Sequence, residues 1–183
     1  DKYNKDHRQQ TATNEEVLDE FSVKKNHGNH VGKGGIIVNG IDDVAVRFSK
    51  CCSPVPGDEI VGFITRGRGV SIHRTDCVNV MNLSESERVR LIDAEWQGSN
   101  LTSGLYTAEI NVYANNRTGL LVDISKIFTE RKIDIRNINC RTNKQEKATI
   151  SVSFNVSCKD ELNSLIEKIR QLESVLDVER TTG

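Results

Sequence analysis

The chain has 183 residues, with 25 Lys and Arg side chains against 26 Asp and Glu, so its formal net charge is -1. A charge this close to zero gives no long-range field that favours nucleic acid or a membrane surface, and any RNA contact must come from a local patch. No run of about 18 apolar residues occurs, so no membrane-spanning helix is predicted. Five cysteines, an odd number, without a secretory signal predict reduced thiols and a cytoplasmic protein.

The N-terminal part of the chain is polar. Residues 1–40 are rich in Gly, Asn and Lys and have few large apolar groups to offset the entropy of ordering. We therefore predict a flexible linker over residues 1–40. Met81 is the sole methionine and the chain opens at Asp1, so we expect a fragment of a longer protein with a partial function.

The most informative stretch, residues 48–77, reads FSKCCSPVPGDEIVGFITRGRGVSIHRTDC. It contains four candidate metal ligands, the number that a closed structural zinc site uses: Cys51, Cys52, His73 and Cys77. The adjacent cysteines need a turn to bind one ion, since neighbours on a strand point to opposite faces. His73 and Cys77 are four residues apart, which on a helical turn places both side chains on one face.

A hairpin is predicted between the two ligand pairs. The runs EIVGFIT and VSIH flank residues 67–69, Gly-Arg-Gly, whose glycines allow the positive φ of a tight turn. Such a hairpin would bring the ligand pairs together. Reduced buried thiols and a redox role stay open as alternatives to a metal, whereas the odd cysteine count disfavours a disulfide framework.

Residues 41–97 are predicted to form the first domain. VAVRF is expected to be a strand, DCVNVMNL a short helix that carries the last cysteine, and RVRLIDAEW a closing strand. The core of such a unit is thin, so a metal would supply the missing stability. Three arginines near the site are predicted RNA contacts, because guanidinium groups suit phosphate: Arg66, Arg68 and Arg74.

Residues 98–104, GSNLTSG, are predicted to be a linker, and residues 105–183 a second domain. The apolar periodicity in the second domain predicts strand, helix, strand, strand, helix, strand, the βαββαβ order of the ferredoxin-like arrangement. The third element, KIDIRNINCRT, changes phase between Ile135 and Ile138, which predicts a β-bulge. Cys140 and Cys158 have no partner at ligand spacing and are predicted to pack in the core or at an edge.

The first domain resembles the zinc-finger (conserved-cysteine) domain in the C-terminal regulatory region of bacterial long Rel/SpoT-type (p)ppGpp synthetase/hydrolases. The similarity covers the double cysteine, the Pro-x-Pro-Gly-Asp turn, the Gly-Arg-Gly hairpin and the His-Arg-x-Asp-Cys ending. It implies a structural Zn²⁺ and, residue by residue, the same four ligands that the spacing suggests.

The second domain resembles an ACT domain, the kind that closes Rel/SpoT-type proteins. The similarity lies in the element order and in the first strand-to-helix junction, NRTGLL. In ACT domains this turn can bind an amino acid, which implies six ligand-binding candidates: Asn116, Arg117, Thr118, Gly119, Leu120 and Leu121. Asn116 stands where the family pattern has Asp, and Asn can also cap a helix. A branched-chain amino acid and a homodimer are the partners expected here.

The fold expected from both domains is α+β, a small zinc-bound hairpin and helix domain followed by a ferredoxin-like ACT domain. No catalytic motif is visible, so the chain is expected not to be an enzyme. The resemblance implies a regulatory module that senses amino-acid starvation by docking on ribosomal RNA and the A-site tRNA, and that controls the protein's own catalytic domains. An amino-acid sensor, or a homodimerisation or autoinhibitory element, is the alternative.

Overall fold

The computed structural model describes residues 35–39, 44–98 and 104–182, which form two β-sheets with helices packed against the second. The α+β class predicted from the sequence is confirmed. Most of the predicted linkers, residues 1–34 and 99–103, lie outside the described residues. None of the described helices is long and apolar enough to cross a membrane.

The first sheet has five strands in the order β1-β5-β3-β4-β2. The strands are β1 (Ile36–Val38), β2 (Val46–Phe48), β3 (Ile60–Thr65), β4 (Gly69–Arg74) and β5 (Leu91–Trp96). Two single-turn helices, α1 (Val78–Met81) and α2 (Glu85–Arg88), lie between β4 and β5. The predicted hairpin is present as β3 and β4, with Thr65 opposite Gly69.

One feature of this sheet differs from the prediction. Residues 36–38, which were assigned to the N-terminal linker, form β1 and pair with β5, because Ile36 buries its side chain in the sheet's core. Strand β2 runs parallel to β4. The described buried hydrophobic cluster of this domain is small, with half-buried apolar side chains packed against it, and consists of Ile36, Val70, Ile72 and Ala94.

The second sheet has four strands in the order β7-β8-β6-β9. Its elements are β6 (Tyr106–Asn115), α3 (Leu120–Glu130), β7 (Ile135–Thr142), β8 (Lys147–Val156), α4 (Lys159–Arg170) and β9 (Val175–Arg180). This is the predicted βαββαβ order. The predicted bulge is also present, since the pairing of β7 with β8 shifts register between Ile135 and Asn137.

Alternation along the strands places one face of this sheet against the two helices. On β8, alternate residues from Ala148 to Val156 are buried, and Phe154 packs edge-on against Phe128 of α3. Leu121, in the first turn of α3, is 41% exposed. Cys140 is exposed on edge strand β7, and Cys158 is half-buried next to α4.

Aromatic side chains join the two domains. Phe48 and Trp96 of the first domain stack with ring centroids 5.7 Å apart. Tyr106 of the second domain packs edge-on against both rings, at 5.5 and 5.6 Å. Since each ring buries a large apolar area, this cluster ties the start of β6 to the first sheet.

Candidate metal centre

Four side chains from three separate segments converge at one end of the first sheet. Cys51 and Cys52 lie in a turn directly after β2, His73 lies on β4, and Cys77 immediately precedes α1. One ligand atom from each residue lies within 4.8 Å of the other three. The hairpin therefore brings together the four residues that the sequence analysis selected.

The turn at the cysteine pair has the form that co-ligation requires. The backbone N–H of Ser53 donates to the carbonyl oxygen of Ser49 at 3.0 Å, which reverses the chain around the cysteines. Ser53 adopts a φ of 43°, in the left-handed region. Both thiols consequently face the same side: Sγ of Cys51 is 3.4 Å, and Sγ of Cys52 is 3.9 Å, from Nδ1 of His73.

The second ligand pair is arranged differently from the prediction. His73 lies on a strand and Cys77 at the N-terminus of α1, so the two are not one helical turn apart. Between them a turn is closed by the N–H of Cys77, which donates to the carbonyl oxygen of Arg74 at 3.2 Å. His73 and Arg74 pair with β3, so the backbone there is extended and the four-residue spacing does not correspond to a helical turn.

A neighbouring serine orients the His73 ring. Nδ1 faces the cysteines, while Nε2 lies 3.3 Å from Oγ of Ser71. Ser71 was not selected from the sequence, although the period of a strand places it on the same face as His73. A hydrogen bond at the far nitrogen fixes the tautomer that leaves Nδ1 free as a ligand.

Burial and hydrogen bonding set the protonation of the cluster. Burial raises the pKa of the Cys52 thiol to about 12 and also raises the pKa of Cys77. Burial acts in the same direction on Cys51, but hydrogen bonds, led by the one with Ser49, hold its pKa below the ordinary value. Burial lowers the pKa of His73, so the ring is neutral at pH 7. The neutral ring is the form that binds metals.

The residues fit a structural metal ion. Ligand atoms in a tetrahedral zinc site lie roughly 4 Å apart, since each is about 2.0–2.3 Å from the ion, and the observed cluster has this size. Cys52 and Cys77 are fully buried. Three sulfurs and one nitrogen would hold the ion, which would cross-link three segments of a domain with a small core and displace the remaining thiol protons.

The predicted RNA contacts divide into two groups. Arg66 and Arg68 are exposed at the tip of the hairpin. Arg74 is buried, and its Nε donates to Asp76 at 2.8 Å within an ion pair. Arg74 is therefore not exposed for the predicted RNA contact, because it lies on the same buried face of β4 as Ile72.

The predicted ligand-binding turn lies between β6 and α3. Its residues Asn116 to Gly119 are exposed, and Gly119 adopts a φ of 83°. Asn116 does not cap the helix: its side-chain amide donates to Glu146 at 3.0 Å, and Gly119 occupies the N-cap position. Arg117 donates to Ser174 at 2.7 Å and forms an ion pair with Asp123 at 2.6 Å.

Comparison with known proteins gives matches over both domains. Residues 36–97 match the family model of the RelA/SpoT RIS domain, and residues 102–180 match that of the ACT domain. Among curated proteins, a GTP pyrophosphokinase of Streptomyces coelicolor is 38% identical over 81% of this chain and 17% of its own length. A GTP pyrophosphokinase of Escherichia coli K12 is 37% identical over 82% of this chain and 20% of its own length.

A solved structure, the ACT domain from GTP pyrophosphokinase of Chlorobium tepidum, aligns with 42% of this chain and 99% of its own at 25% identity and a TM-score of 0.39. The chain spans about a fifth of the length of the curated relatives it matches. Two family models in succession, together with these relatives, account for nearly all of the described residues. The chain therefore belongs to the RelA/SpoT family, and its RIS domain followed by an ACT domain corresponds to the C-terminal regulatory region of the proteins in that family.

Proposed function

We propose that this chain is the non-catalytic regulatory module of a GTP pyrophosphokinase, and that it reports amino-acid starvation by docking on the ribosome beside the A-site tRNA. Docking would control the catalytic domains, which lie outside this chain. The observation that carries the proposal is the exposed arginine pair, Arg66 and Arg68, on a hairpin whose base lies at the candidate metal centre.

The hairpin is suited to a phosphate contact because it is short and fixed. Only three residues separate Thr65 from Gly69, and Oγ1 of Thr65 donates to the carbonyl oxygen of Gly69 at 2.6 Å. Within the described residues, neither Arg66 nor Arg68 has an ion-pair partner. Because the backbone of the turn is already fixed, only the arginine side chains lose entropy on binding phosphate, and a guanidinium without an ion-pair partner retains its full charge for that contact.

The second sheet offers a polar surface on the face that the helices leave uncovered. Half-buried hydroxyl and amide side chains follow β6 and β8 there, together with the carboxylate of Glu109, and Ser151 donates to Asn111 at 2.7 Å across the two strands. On the neighbouring edge strand, Arg136 and Arg141 are exposed. We propose this face as a second RNA contact, because hydroxyls and arginines bind phosphate and ribose without reading a base sequence.

Removing both tip arginines is expected to weaken ribosome binding and its salt dependence. Each lost phosphate contact lowers the slope of log K against log salt by about 0.7–0.9, so Arg66→Ala with Arg68→Ala should reduce the slope by roughly 1 to 2. Binding would be measured by sedimentation with ribosomes at several salt concentrations. The matched control is Lys126→Ala with Arg131→Ala, which removes the same charge from the exposed side of α3.

The proposal is supported only if the slope falls more in the tip variant than in the control double variant. If the control double variant reduces the slope as much as the tip variant, the effect comes from total charge. An unchanged slope in the tip variant excludes the hairpin as the ribosome contact.

We propose Zn²⁺ as the metal, in a structural role. Ser71→Ala is then expected to weaken zinc binding about 10- to 100-fold, because the His73 ring loses the partner that sets its tautomer. Competition with a chromophoric chelator measures this affinity. Ser86→Ala, at an exposed position in α2, is the control. Equal affinities for the two variants would show that Ser71 does not position the ring.

A further inference from the structure

The end of strand β9 in the ACT domain contacts both segments that carry the cysteines of the candidate metal centre. Arg180, its last residue, donates from Nη2 to the carbonyl oxygen of Ser53 at 3.2 Å, one residue after the cysteine pair. The carbonyl oxygen of Thr182 accepts from the backbone N–H of Val78 at 2.9 Å, one residue after the last cysteine. We name residues 180–182 the C-terminal bridge.

A buried ion pair fixes Arg180 in this position. Its two terminal nitrogens donate to the two carboxylate oxygens of Asp58 at 2.8 and 2.9 Å, and the Asp58 side chain is 3% exposed. Oδ2 of Asp58 also accepts from the backbone N–H of Val55 at 2.9 Å. A bidentate pair has a narrow range of geometries, so the carboxylate holds the guanidinium against the loop. Lys159 Nζ also lies 3.9 Å from Oδ1 of Asp58, so loss of Arg180 would leave the buried carboxylate with only this longer contact.

The loop between the cysteine pair and Asp58 is docked on the ACT domain at further points. Val55 is fully buried and belongs to the core cluster of the ACT domain. The carbonyl oxygen of Pro56 accepts from the backbone N–H of Lys159, the first residue of α4, at 2.8 Å. Gly57 approaches the same residue, since a Cβ there would lie 3.1 Å from Cβ of Lys159.

One short segment, residues 51–58, therefore performs two tasks. Its first two residues supply candidate metal ligands, and the residues after them supply contacts to the ACT domain, through Ser53, Val55, Pro56 and Asp58. A loop without regular secondary structure needs such external contacts to hold one conformation. Each set of contacts consequently restricts the conformations available to the other.

We infer that metal occupancy and the docking of the ACT domain on the RIS domain are thermodynamically coupled through residues 51–58 and the C-terminal bridge. The inference rests on the proposed metal site. The ion would link the cysteine pair to Cys77. The C-terminal bridge links the residues that follow the cysteine pair and Cys77, so the ion and the bridge favour the same arrangement of the two segments. Coupling between two sites is reciprocal: metal loss loosens the docking, and a broken bridge weakens metal binding.

Zinc affinity of the whole chain tests one direction of the coupling. Arg180→Met is expected to weaken zinc binding roughly tenfold in competition with a chromophoric chelator, within the usual 5- to 150-fold range of coupled sites. Arg180→Lys retains the charge but not the bidentate geometry, and a smaller loss is expected. Arg131→Met, at an exposed position directly after α3, is the control and should bind zinc like the parent.

Hydrogen exchange in the unsubstituted chain tests the other direction and does not depend on whether a variant folds. The amide of Lys159 donates to Pro56 across the domain boundary, so removal of zinc by a chelator is expected to lower its protection at least tenfold. The amide of Ile150, inside the second sheet, should keep its protection. Loss of protection at both amides would show unfolding of the ACT domain and overturn the inference.

The outcomes separate this inference from the proposed function. Zinc binding that is equal in the parent and in Arg180→Met, with an unchanged Lys159 amide, overturns the coupling while the metal site stands. A chain that binds no zinc overturns both the coupling and the metal site. Ribosome binding by the hairpin arginines is measured independently of either result.

Discussion

Replacing Cys77 by serine is expected to release the metal and to unfold the RIS domain while the ACT domain stays folded. The described buried core of the RIS domain is four side chains, whereas apparent binding free energies of structural zinc are about 10–16 kcal/mol in small domains. The binding free energy that is lost with one of the three thiolates should therefore exceed the free energy of folding that the core alone provides. Elemental analysis should find one zinc per parent chain and none in the variant.

The fluorescence of Trp96 reports this unfolding, because Trp96 is the sole tryptophan and lies on β5 of the RIS domain. Cys140→Ser is the matched control: it replaces an exposed cysteine on β7, outside the cluster, and should retain zinc and the parent fluorescence. A Cys77→Ser chain that keeps one zinc would exclude the proposed ligand set. A zinc-free chain with parent fluorescence would show that the domain folds without a metal.

The second large effect is expected from Gly69→Ala, where β4 begins at the turn of the hairpin. Gly69 adopts a φ of 78°, and a Cβ there would lie 2.0 Å from the carbonyl oxygen of Ala45, which accepts from the N–H of Val70. The left-handed backbone alone costs about 1–2 kcal/mol for a residue with a Cβ. The backbone clash should add about 3 kcal/mol, because β2 must move away from β4.

Gly67→Ala separates the two causes. Gly67 has a similar φ of 72°, but a Cβ there would meet no atom within 4 Å, so only the backbone cost of about 1–2 kcal/mol is expected. Denaturant unfolding of both zinc-loaded variants, followed by Trp96 fluorescence, measures the difference. Equal free energies of unfolding would show that β2 moves away from the new side chain without cost.

The sequence by itself determined the local elements. Apolar alternation with a period of two predicts β6 and β8, and an apolar stripe with a period of 3.6 residues predicts α3 and α4. The phase change between Ile135 and Ile138 predicts the bulge. Each of these patterns depends only on residues that are close in the sequence. The four clustered ligands were found in the same way, since cysteine and histidine are rare enough for their spacing to be informative.

The tertiary structure alone decided which side chains are free to act. Of the three predicted RNA-contact arginines only Arg66 and Arg68 are exposed. Arg74 is buried, because it lies on the face of β4 that packs into the core of the sheet, and it pairs with Asp76 from there. The ion pair between Arg180 and Asp58 joins residues 122 positions apart. No local pattern encodes such a pair, since it forms only when the two domains dock.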